Sequence, residues 1–246
     1  MIVKRFFDFL VSFLGLIIIS PILLFSMLLV FLQDGSSPLY RAPRIGVDGK
    51  QFVMVKMRSM VFGADKNKVD STSSNDQRIT YIGQIIRRYK LDELTQLWNV
   101  LLGEMSLVGP RPQVKRDVDL YSKEESKLLT VTPGITDFSS IIFSDEGDIL
   151  CDFSDPDLAY NQLIRPWKSK LGILYIEKRS FGLDIFIIFC TIISIISKRS
   201  ALDLISKRLE NLTDDFDLIA VSKRKEKLKP SIPPGCKSIV KSREVN

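Results

Sequence analysis

Phe9-Leu-Val-Ser-Phe-Leu-Gly-Leu-Ile-Ile-Ile-Ser20-Pro21-Ile-Leu-Leu-Phe-Ser-Met-Leu-Leu-Val-Phe-Leu-Gln33 is a run of 25 residues without a charge, bracketed by Asp8 and Asp34. As an α-helix it is long enough to span a bilayer core of ~30 Å. A secretory signal fits poorly, because the apolar part is too long and no small-x-small cleavage site follows. Two features argue against a simple spanning helix. Ser20-Pro21 lies mid-run, where proline removes a helix hydrogen bond and disfavours helix in the residue before it. Each arm is then about 12 residues, or ~18 Å of helix, which reaches about halfway through the hydrocarbon. Both flanks are also basic, with Lys4 and Arg5 before the run and Arg41, Arg44, Lys50, Lys56 and Arg58 after it. That distribution places both ends on the cytoplasmic side. A re-entrant helix-break-helix turning at Ser20-Pro21 satisfies both facts; a spanning helix is the other reading. The carbonyl freed at Pro21 needs Ser20 or another protein group as partner.

The composition supports a concentrated apolar segment. The 246 residues are 45% hydrophobic and 26% charged, with a mean hydropathy of +0.10. The net charge is +6. Residues 198–246 carry twelve Lys/Arg against seven Asp/Glu, a net +5, so the rest of the chain is nearly neutral. A nucleic-acid binder would put its basic face on the folded body, so nucleic acid is not an expected partner. The three cysteines, Cys151, Cys190 and Cys236, have neither zinc spacing nor a disulfide framework and point to a reducing compartment. There is no histidine, so any acid, base or nucleophile must come from other side chains.

Beyond the apolar run, Asp48-Gly49 between apolar stretches predicts a β-hairpin over residues 38–60. Arg44, Lys56 and Arg58 project near it; a solvated or lipid-facing surface is the plainer reading of each. Residues 63–80 form a polar surface loop long enough to be a lid. Ile82, Ile85, Ile86 and Tyr89 then follow helical spacing, and Leu91, Leu94, Leu97 and Leu101 give a rotated second stripe. The shift predicts a helix break near Lys90, a new helix near Asp92, and an end at Gly103. Asp92, Thr95, Gln96 and Asn99 share its polar face. Asp92-Glu93 follows Arg87-Arg88-Tyr89-Lys90. By pattern alone the pair is an N-cap with an acidic first turn. The alternative is a reactive carboxylate pair flanking a phosphate held by the cations.

Gly109-Pro110-Arg111-Pro112 is a stiff turn that holds its guanidinium in place, or simply a structural turn. Ser122 to Glu125 is a capping-box pattern opening a short helix, and Thr132 to Thr136 reads as a turn. Residues 138–153 look extended. Leu158 to Ser180 reads as a basic amphipathic helix lying on a membrane surface. Leu183–Ile196 is too short to span comfortably and reads as a buried or interfacial helix, with Asp184 paired to Lys4 or Arg5 or capping the helix. From Ser197 the chain reads as a mobile charged tail attracted to anionic lipid.

The order of these motifs resembles a known group. The Ser20-Pro21 apolar helix is followed by Arg44-x-Gly46-x-x-Gly49-Lys50-x-Phe52 and Lys56-Met-Arg58-Ser-Met60. Then come Leu91-Asp92-Glu93-Leu94-x-Gln96-Leu97-x-Asn99, Gly103-Glu-Met105-Ser106-Leu-Val-Gly109-Pro110-Arg111-Pro112 and Pro133-Gly134-Ile135-Thr136. Over roughly residues 1–200 the chain is similar to bacterial sugar transferases, the monotopic phosphoglycosyl transferases that make polyprenol-diphosphate sugars. The resemblance implies transfer of a sugar-1-phosphate from a UDP-sugar to polyprenol phosphate such as undecaprenyl phosphate, with Mg²⁺ as cofactor. It implies catalytic Asp92 and Glu93, both also metal ligands, with Asp92 attacking the sugar-bearing phosphate and UMP leaving. It further implies substrate binding by Arg44, Lys56, Arg58, Arg87, Gly109, Pro110, Arg111, Pro112 and Thr136. The implied location is the cytoplasmic face of the bacterial inner membrane, with membrane lipid as a partner and homo-oligomerisation left open. One stretch departs from the family pattern: Asp137-Phe138-Ser139-Ser140 and then Phe143-x-Asp145-Glu146 follow Thr136; the resemblance implies that this segment shapes the nucleotide or sugar pocket, so the sugar stays unnamed.

The expected architecture is α+β and mostly helical. Residues 1–36 form the re-entrant helix, and residues 37–200 a cytosolic catalytic domain with a short β-hairpin and interfacial amphipathic helices. Residues 201–246 form the charged tail. The rival functional class is a non-catalytic membrane scaffold that recruits partners through that tail.

Overall fold

The computed structural model describes residues 2–64 and 71–242. Helix α1 (Ile2–Asp34) comes first, followed by an antiparallel hairpin of β1 (Leu39–Ile45) and β2 (Gln51–Met57). The turn at Val47–Gly49 puts Asp48 and Gly49 at positive φ, as the Asp-Gly signal predicts. Three short helices follow, α2 (Tyr81–Arg88), α3 (Leu91–Leu94) and α4 (Leu97–Leu102). After β3 (Ser106–Val108) and α5 (Lys115–Val118), a 3₁₀ segment covers Glu125–Thr130. Strand β4 (Gly134–Thr136) pairs with β3 in parallel. The chain then runs through α6 (Phe138–Ile142), α7 (Glu146–Leu150) and α8 (Pro156–Ala159). A π-type segment, Tyr160–Ile164, leads into α9 (Arg165–Lys178) and α10 (Phe181–Ile196). Last come α11 (Lys198–Glu210) and α12 (Phe216–Ser222). The fold is therefore mostly helical α+β, with a long apolar N-terminal helix and a hairpin.

Among the described residues α1 alone is long and apolar enough to cross a membrane. Its backbone stays helical through Ser20-Pro21, which corrects the expectation of two arms separated by a break. The physical reason is local. Pro21 brings no N–H to the Ile17 carbonyl, and the Ser20 hydroxyl donates to that carbonyl at 2.8 Å instead. Both ends of α1 are tied to the same folded body. At its start Lys4 pairs with Asp184 at 2.6 Å, and Arg5 donates to the Val100 and Leu101 carbonyls at the end of α4. Asp8, buried one turn later, accepts from Ser106 Oγ at 2.8 Å. At its end Asp34 receives two hydrogen bonds from Arg58, at 2.6 and 2.7 Å. Between the ends, Leu23 and Val30 pack with Met57 and Ile86.

The main core joins α4, β3, α6 and α9 to α10 and α11. Phe138, Ile141, Ile164, Leu171, Ile187 and Ile205 lie at its centre, fully or almost fully buried. Three expectations fail here. Residues 138–142 and 146–150 are helical rather than extended, and the first of these helices starts where Asp137 caps α6 reciprocally. Its carboxylate accepts the Ser140 N–H at 2.7 Å, and Ser140 Oγ accepts the Asp137 N–H at 2.9 Å. The stretch that departs from the family pattern is thus a helix start.

Helix α9 is a core helix and not an interfacial one. Its cations face carboxylates within the fold: Arg165 pairs with Glu125 at 2.6 Å, Lys168 with Glu146, and Lys170 with Asp215 at 3.1 Å. The charged segment after Ser197 is not a mobile tail over its described part. Ala201, Leu202, Ile205 and Leu209 of α11 and Leu218 of α12 are buried in the core. Farther on, the Ser231 N–H donates to the Gln162 carbonyl at 3.0 Å and Gln162 Nε2 to the Val240 carbonyl at 2.8 Å. By contrast, the expected capping box at Ser122 forms, since Ser122 N–H reaches Glu125 Oε2 at 3.1 Å and Glu125 N–H reaches Ser122 Oγ at 3.0 Å.

Candidate active site

The site begins with the outer edge of β2. In a two-stranded sheet that edge carries backbone groups with no strand partner. Asn99 of α4 meets them. Its Oδ1 accepts the Val55 N–H at 2.9 Å and its Nδ2 donates to the Val53 carbonyl at 2.7 Å. Thr95 Oγ1 adds a bond to the Val55 carbonyl at 3.1 Å. Of the polar face predicted for Asp92, Thr95, Gln96 and Asn99, each residue 5% exposed or less, Asp92, Thr95 and Asn99 meet the hairpin, whereas both polar atoms of the Gln96 side chain are buried without a partner among the described residues. This docking brings Lys56, the next residue along β2, to Asp92. Lys56 Nζ lies 2.9 Å from Asp92 Oδ2.

The helix break that precedes Asp92 sits at Lys90, which adopts left-handed backbone angles (φ 54°, ψ 25°). A non-glycine residue there costs about 1–2 kcal/mol. The bend turns the chain from α2 into α3 and puts Arg87, Lys90, Asp92 and Glu93 on one cavity. Gly83 allows α2 to sit this close. A Cβ at Gly83 would lie 1.9 Å from the Ser59 carbonyl oxygen, and Arg87 Nε donates to Ser59 Oγ at 2.9 Å.

The cavity encloses about 380 Å³ and is lined by six Lys/Arg and four Asp/Glu side chains. Arg111 holds Glu93 in a two-pronged pair, NH2 to Oε1 at 2.7 Å and NH1 to Oε2 at 3.2 Å, and also donates to the Ile135 carbonyl at 2.9 Å. Burial by itself would raise the Glu93 carboxyl, but Arg111, Lys56 and Lys90 outweigh it and hold it at about 2. Burial also disfavours the Arg111 charge, and Glu93 more than reverses that, raising its pKa. Arg87 and Lys90 differ. Burial lowers both, with partial compensation from the nearby carboxylates, and neither forms an ion pair among the described residues. Two half-buried cations facing a cavity beside a buried carboxylate form a receptor for a phosphate.

Of the residues singled out from sequence, Arg44, Lys56, Arg87, Asp92, Glu93, Arg111 and Pro112 line this cavity. Four lie elsewhere. Arg58 is 6% exposed and clamps the end of α1, donating to Asp34 and to the Ser37 carbonyl at 2.8 Å. Gly109 and Pro110 continue the β3–β4 pairing, with Gly109 N–H on the Thr136 carbonyl and Gly134 N–H on the Pro110 carbonyl, both at 3.0 Å. The Thr136 hydroxyl is 2.6 Å from that of Thr191 and 3.0 Å from that of Ser140, inside the packing. These four hold the scaffold and do not face the cavity.

The family profile described as bacterial sugar transferase matches residues 1–198. The chain belongs to the bacterial sugar transferase family. Among its relatives, EpsL of Bacillus subtilis, named an uncharacterized sugar transferase, is 32% identical over 192 residues, 78% of this chain and 86% of that protein. The exopolysaccharide production protein ExoY of Sinorhizobium fredii is 38% identical over 148 residues, 54% of this chain and 66% of its own. A UDP-glucose:undecaprenyl-phosphate glucose-1-phosphate transferase of Klebsiella pneumoniae is 37% identical over 205 residues, 82% of this chain and 42% of its own. The chain thus spans less than two thirds of the latter two relatives. The matched region of the sugar transferase family holds every cavity cation and carboxylate and ends at Lys198, the first residue of α11, while the rest of α11 and α12 lie beyond it.

Sequence reasoning missed several members of this sugar transferase cavity. Lys90 registered as a helix break and as one of the cations before Asp92-Glu93, but not among the substrate-binding residues. Lys168, which pairs with Glu146 across the cavity, fell in a segment read as membrane-facing, whereas Glu146 lay in the segment expected to shape the nucleotide or sugar pocket. Ser71 to Ser74 line it too, and belong to the loop read as a lid; residues 65–70 of that loop lie outside the described residues. No local signal marks Lys168, because its carboxylate partner is distant in sequence.

The Glu93–Arg111 pair generates a pH prediction. A carboxylate held below its ordinary value contributes stability that is complete above pH ~4.5 and is lost as pH falls from there through about 2. Glu93→Gln removes that contribution. The unfolding midpoint of the wild-type protein in detergent should therefore fall more steeply between pH 5 and 3 than that of E93Q. Parallel profiles would show that the pair carries no such linkage.

Proposed function

We propose that this chain transfers a sugar-1-phosphate from a UDP-sugar to a polyprenol phosphate, releasing UMP, with Asp92 as the nucleophile. The observation that carries the reading is the buried Asp92 carboxylate set beside Arg87 and Lys90, two cavity-facing cations without ion pairs among the described residues. A diphosphate supplies the missing negative charge, and the carboxylate supplies an attacking atom that needs no base at neutral pH. The substrate class rests on the family and on the donor and acceptor in the Klebsiella relative's name.

In this mechanism an Asp92 oxygen attacks the phosphorus that bears the sugar. A P–O bond to Asp92 forms as the bond to the bridging oxygen breaks, and UMP leaves with that electron pair. An oxygen of the polyprenol phosphate then attacks the same phosphorus and frees the carboxylate. Lys56 fixes Asp92 through Oδ2, leaving Oδ1 as the attacking atom. Arg87 and Lys90 take the phosphate charge, and Glu93 holds Arg111 rigidly at the cavity wall. Mg²⁺, when bound, would screen the repulsion between carboxylate and phosphate. Asp92 would hold it through Oδ2, the oxygen not used in the attack and shared with Lys56, because magnesium typically takes one or two carboxylates together with substrate phosphate oxygens. Glu93, with both oxygens on Arg111, would support the ion by its charge.

We further infer that both ends of α1 lie at the cytoplasmic face, with the unbroken helix set into the membrane alongside the body and not across it. Both of its ends are bonded to one body, and both flanks are basic. Its remaining apolar residues, such as Ile18 at 74% exposure, share the surface with Phe189, Ile192 and Ile196 of α10. The arrangement would place Asp92 near the headgroup level, where a polyprenol phosphate presents its charge.

Incubation with a panel of UDP-sugars and undecaprenyl phosphate should release UMP, and Asp92→Asn should lower turnover by at least about 10³-fold with the fold intact. Near-normal UMP release by D92N would sink the nucleophile assignment. Cysteines placed at positions 3 and 36 should label from the same side of sealed vesicles; opposite-side labelling would mean a spanning helix.

A further inference from the structure

The wall of the cavity formed by α7 is held from an unexpected direction. Phe143, Glu146 and Gly147 line the cavity, and Asp145 between them points away from it to the C-terminal helices. Lys198, at the start of α11, lies 2.7 Å from Asp145 Oδ2, and Arg224, just after α12, reaches the same oxygen at 3.2 Å. The Arg224 guanidinium also stacks 5.7 Å over the Phe143 ring. Arg224 is held at φ 48°, an unfavourable angle for a residue with a Cβ. Asp145 Oδ1 and Arg224 Nε and NH1 are buried without hydrogen-bond partners. A desolvated cluster with unmatched polar atoms and a strained backbone costs stability, so packing alone does not account for it.

The other face of α7 carries a second contact. Gly147 accepts the Ser74 N–H at 3.0 Å, and a Cβ there would come within 3.0 Å of Ser74 N and 3.4 Å of the Thr72 carbonyl oxygen. Ser71 N–H is bonded to Asp157 Oδ1 at 2.8 Å. The Ser71–Ser74 segment is therefore strapped onto α7 where both border the cavity. Chain by chain, the strap leans on Gly147, α7 leans on Asp145, and Asp145 leans on Lys198 and Arg224. The second of these cations lies outside the part of the chain shared with the family.

We propose that Lys198 and Arg224, acting through Asp145, are positioning residues that seat the α7 wall and the Ser71–Ser74 strap against the bound nucleotide sugar. The C-terminal helices thus complete the donor side of the site. This rests on the proposed transfer reaction for its substrate, while the seat itself is a property of the apo protein. On this proposal the seat bears on the nucleotide sugar and not on polyprenol phosphate.

The test uses the full chain in detergent or nanodiscs. Arg224→Met keeps bulk and removes charge, Arg224→Lys keeps an ion pair to Asp145, and Gly147→Ala lifts the strap without touching the ion pairs. Lys223→Met, in a neighbouring exposed pair with Glu210, is the control. Amide hydrogen exchange of residues 71–76 and 144–150 should quicken at least fivefold in R224M, with residues 91–102 unchanged, and R224K should restore most of the protection. The KM for the nucleotide sugar should rise about five- to twentyfold in R224M and G147A. Their kcat and their KM for polyprenol phosphate should stay within twofold, and K223M should resemble wild type. Unchanged exchange in R224M would overturn the seat, as would equal losses in all segments and for both substrates. Because exchange is read without turnover, a wild-type chain that releases no UMP would overturn the proposed activity and not the seat.

Discussion

The site depends on one docking: the polar face of α3 and α4 against the unpaired edge of β2. Asn99 and Thr95 replace the neighbouring strand that the hairpin lacks. Without them the Val53 and Val55 backbone groups would lose their protein partners, at a net cost of about 0.5–1.5 kcal/mol for each hydrogen bond. With them, Lys56 and Asp92 fall into register at 2.9 Å, and the left-handed Lys90 is held in place by its neighbours. The charge pair is thus a consequence of backbone satisfaction. A carboxylate and an ammonium that met only through their own attraction would share a far looser geometry.

The same logic extends to the N-terminal helix. Its charged ends read as topology signals in the sequence, and in the fold they are also structural pins. Lys4 meets Asp184 and Arg5 meets the carbonyls that end α4. Arg58, grouped by motif with the substrate-binding cations, is the clamp at the far end. One set of cations therefore fixes the long apolar helix at both ends to the body that carries Asp92.

Much of this was legible in the residues. Helical spacing located α2, its break at Lys90 and the polar face of the next helix; Asp-Gly located the hairpin; the Ser20 hydroxyl was a foreseeable partner for the carbonyl that Pro21 strands. What failed was charge whose partner is distant in sequence. The cations of α9 looked like a membrane-facing stripe because Glu125, Glu146 and Asp215 could not be assigned to them. The charged segment after Ser197 masked an amphipathic spacing, Ala201, Leu202, Ile205 and Leu209, that was there to be read. Asp137 to Ser140 was judged against a family pattern and not as a cap, although an Asp followed three residues later by Ser is a local helix-start signal. Motif order found the cavity but not its facing: Gly109, Pro110 and Thr136 belong to the same motifs and hold strands together behind it.

The account stands on Asp92 becoming covalently loaded before the lipid acceptor arrives. The most direct measurement is the intact mass of the protein after mixing with the UDP-sugar it accepts and no polyprenol phosphate, followed by peptide mapping. A mass increase of one sugar phosphate on the peptide carrying Asp92, formed with UMP and discharged when polyprenol phosphate is added, is the predicted result. Transfer that proceeds only with both substrates present and leaves no adduct, or an adduct on another residue, would contradict it.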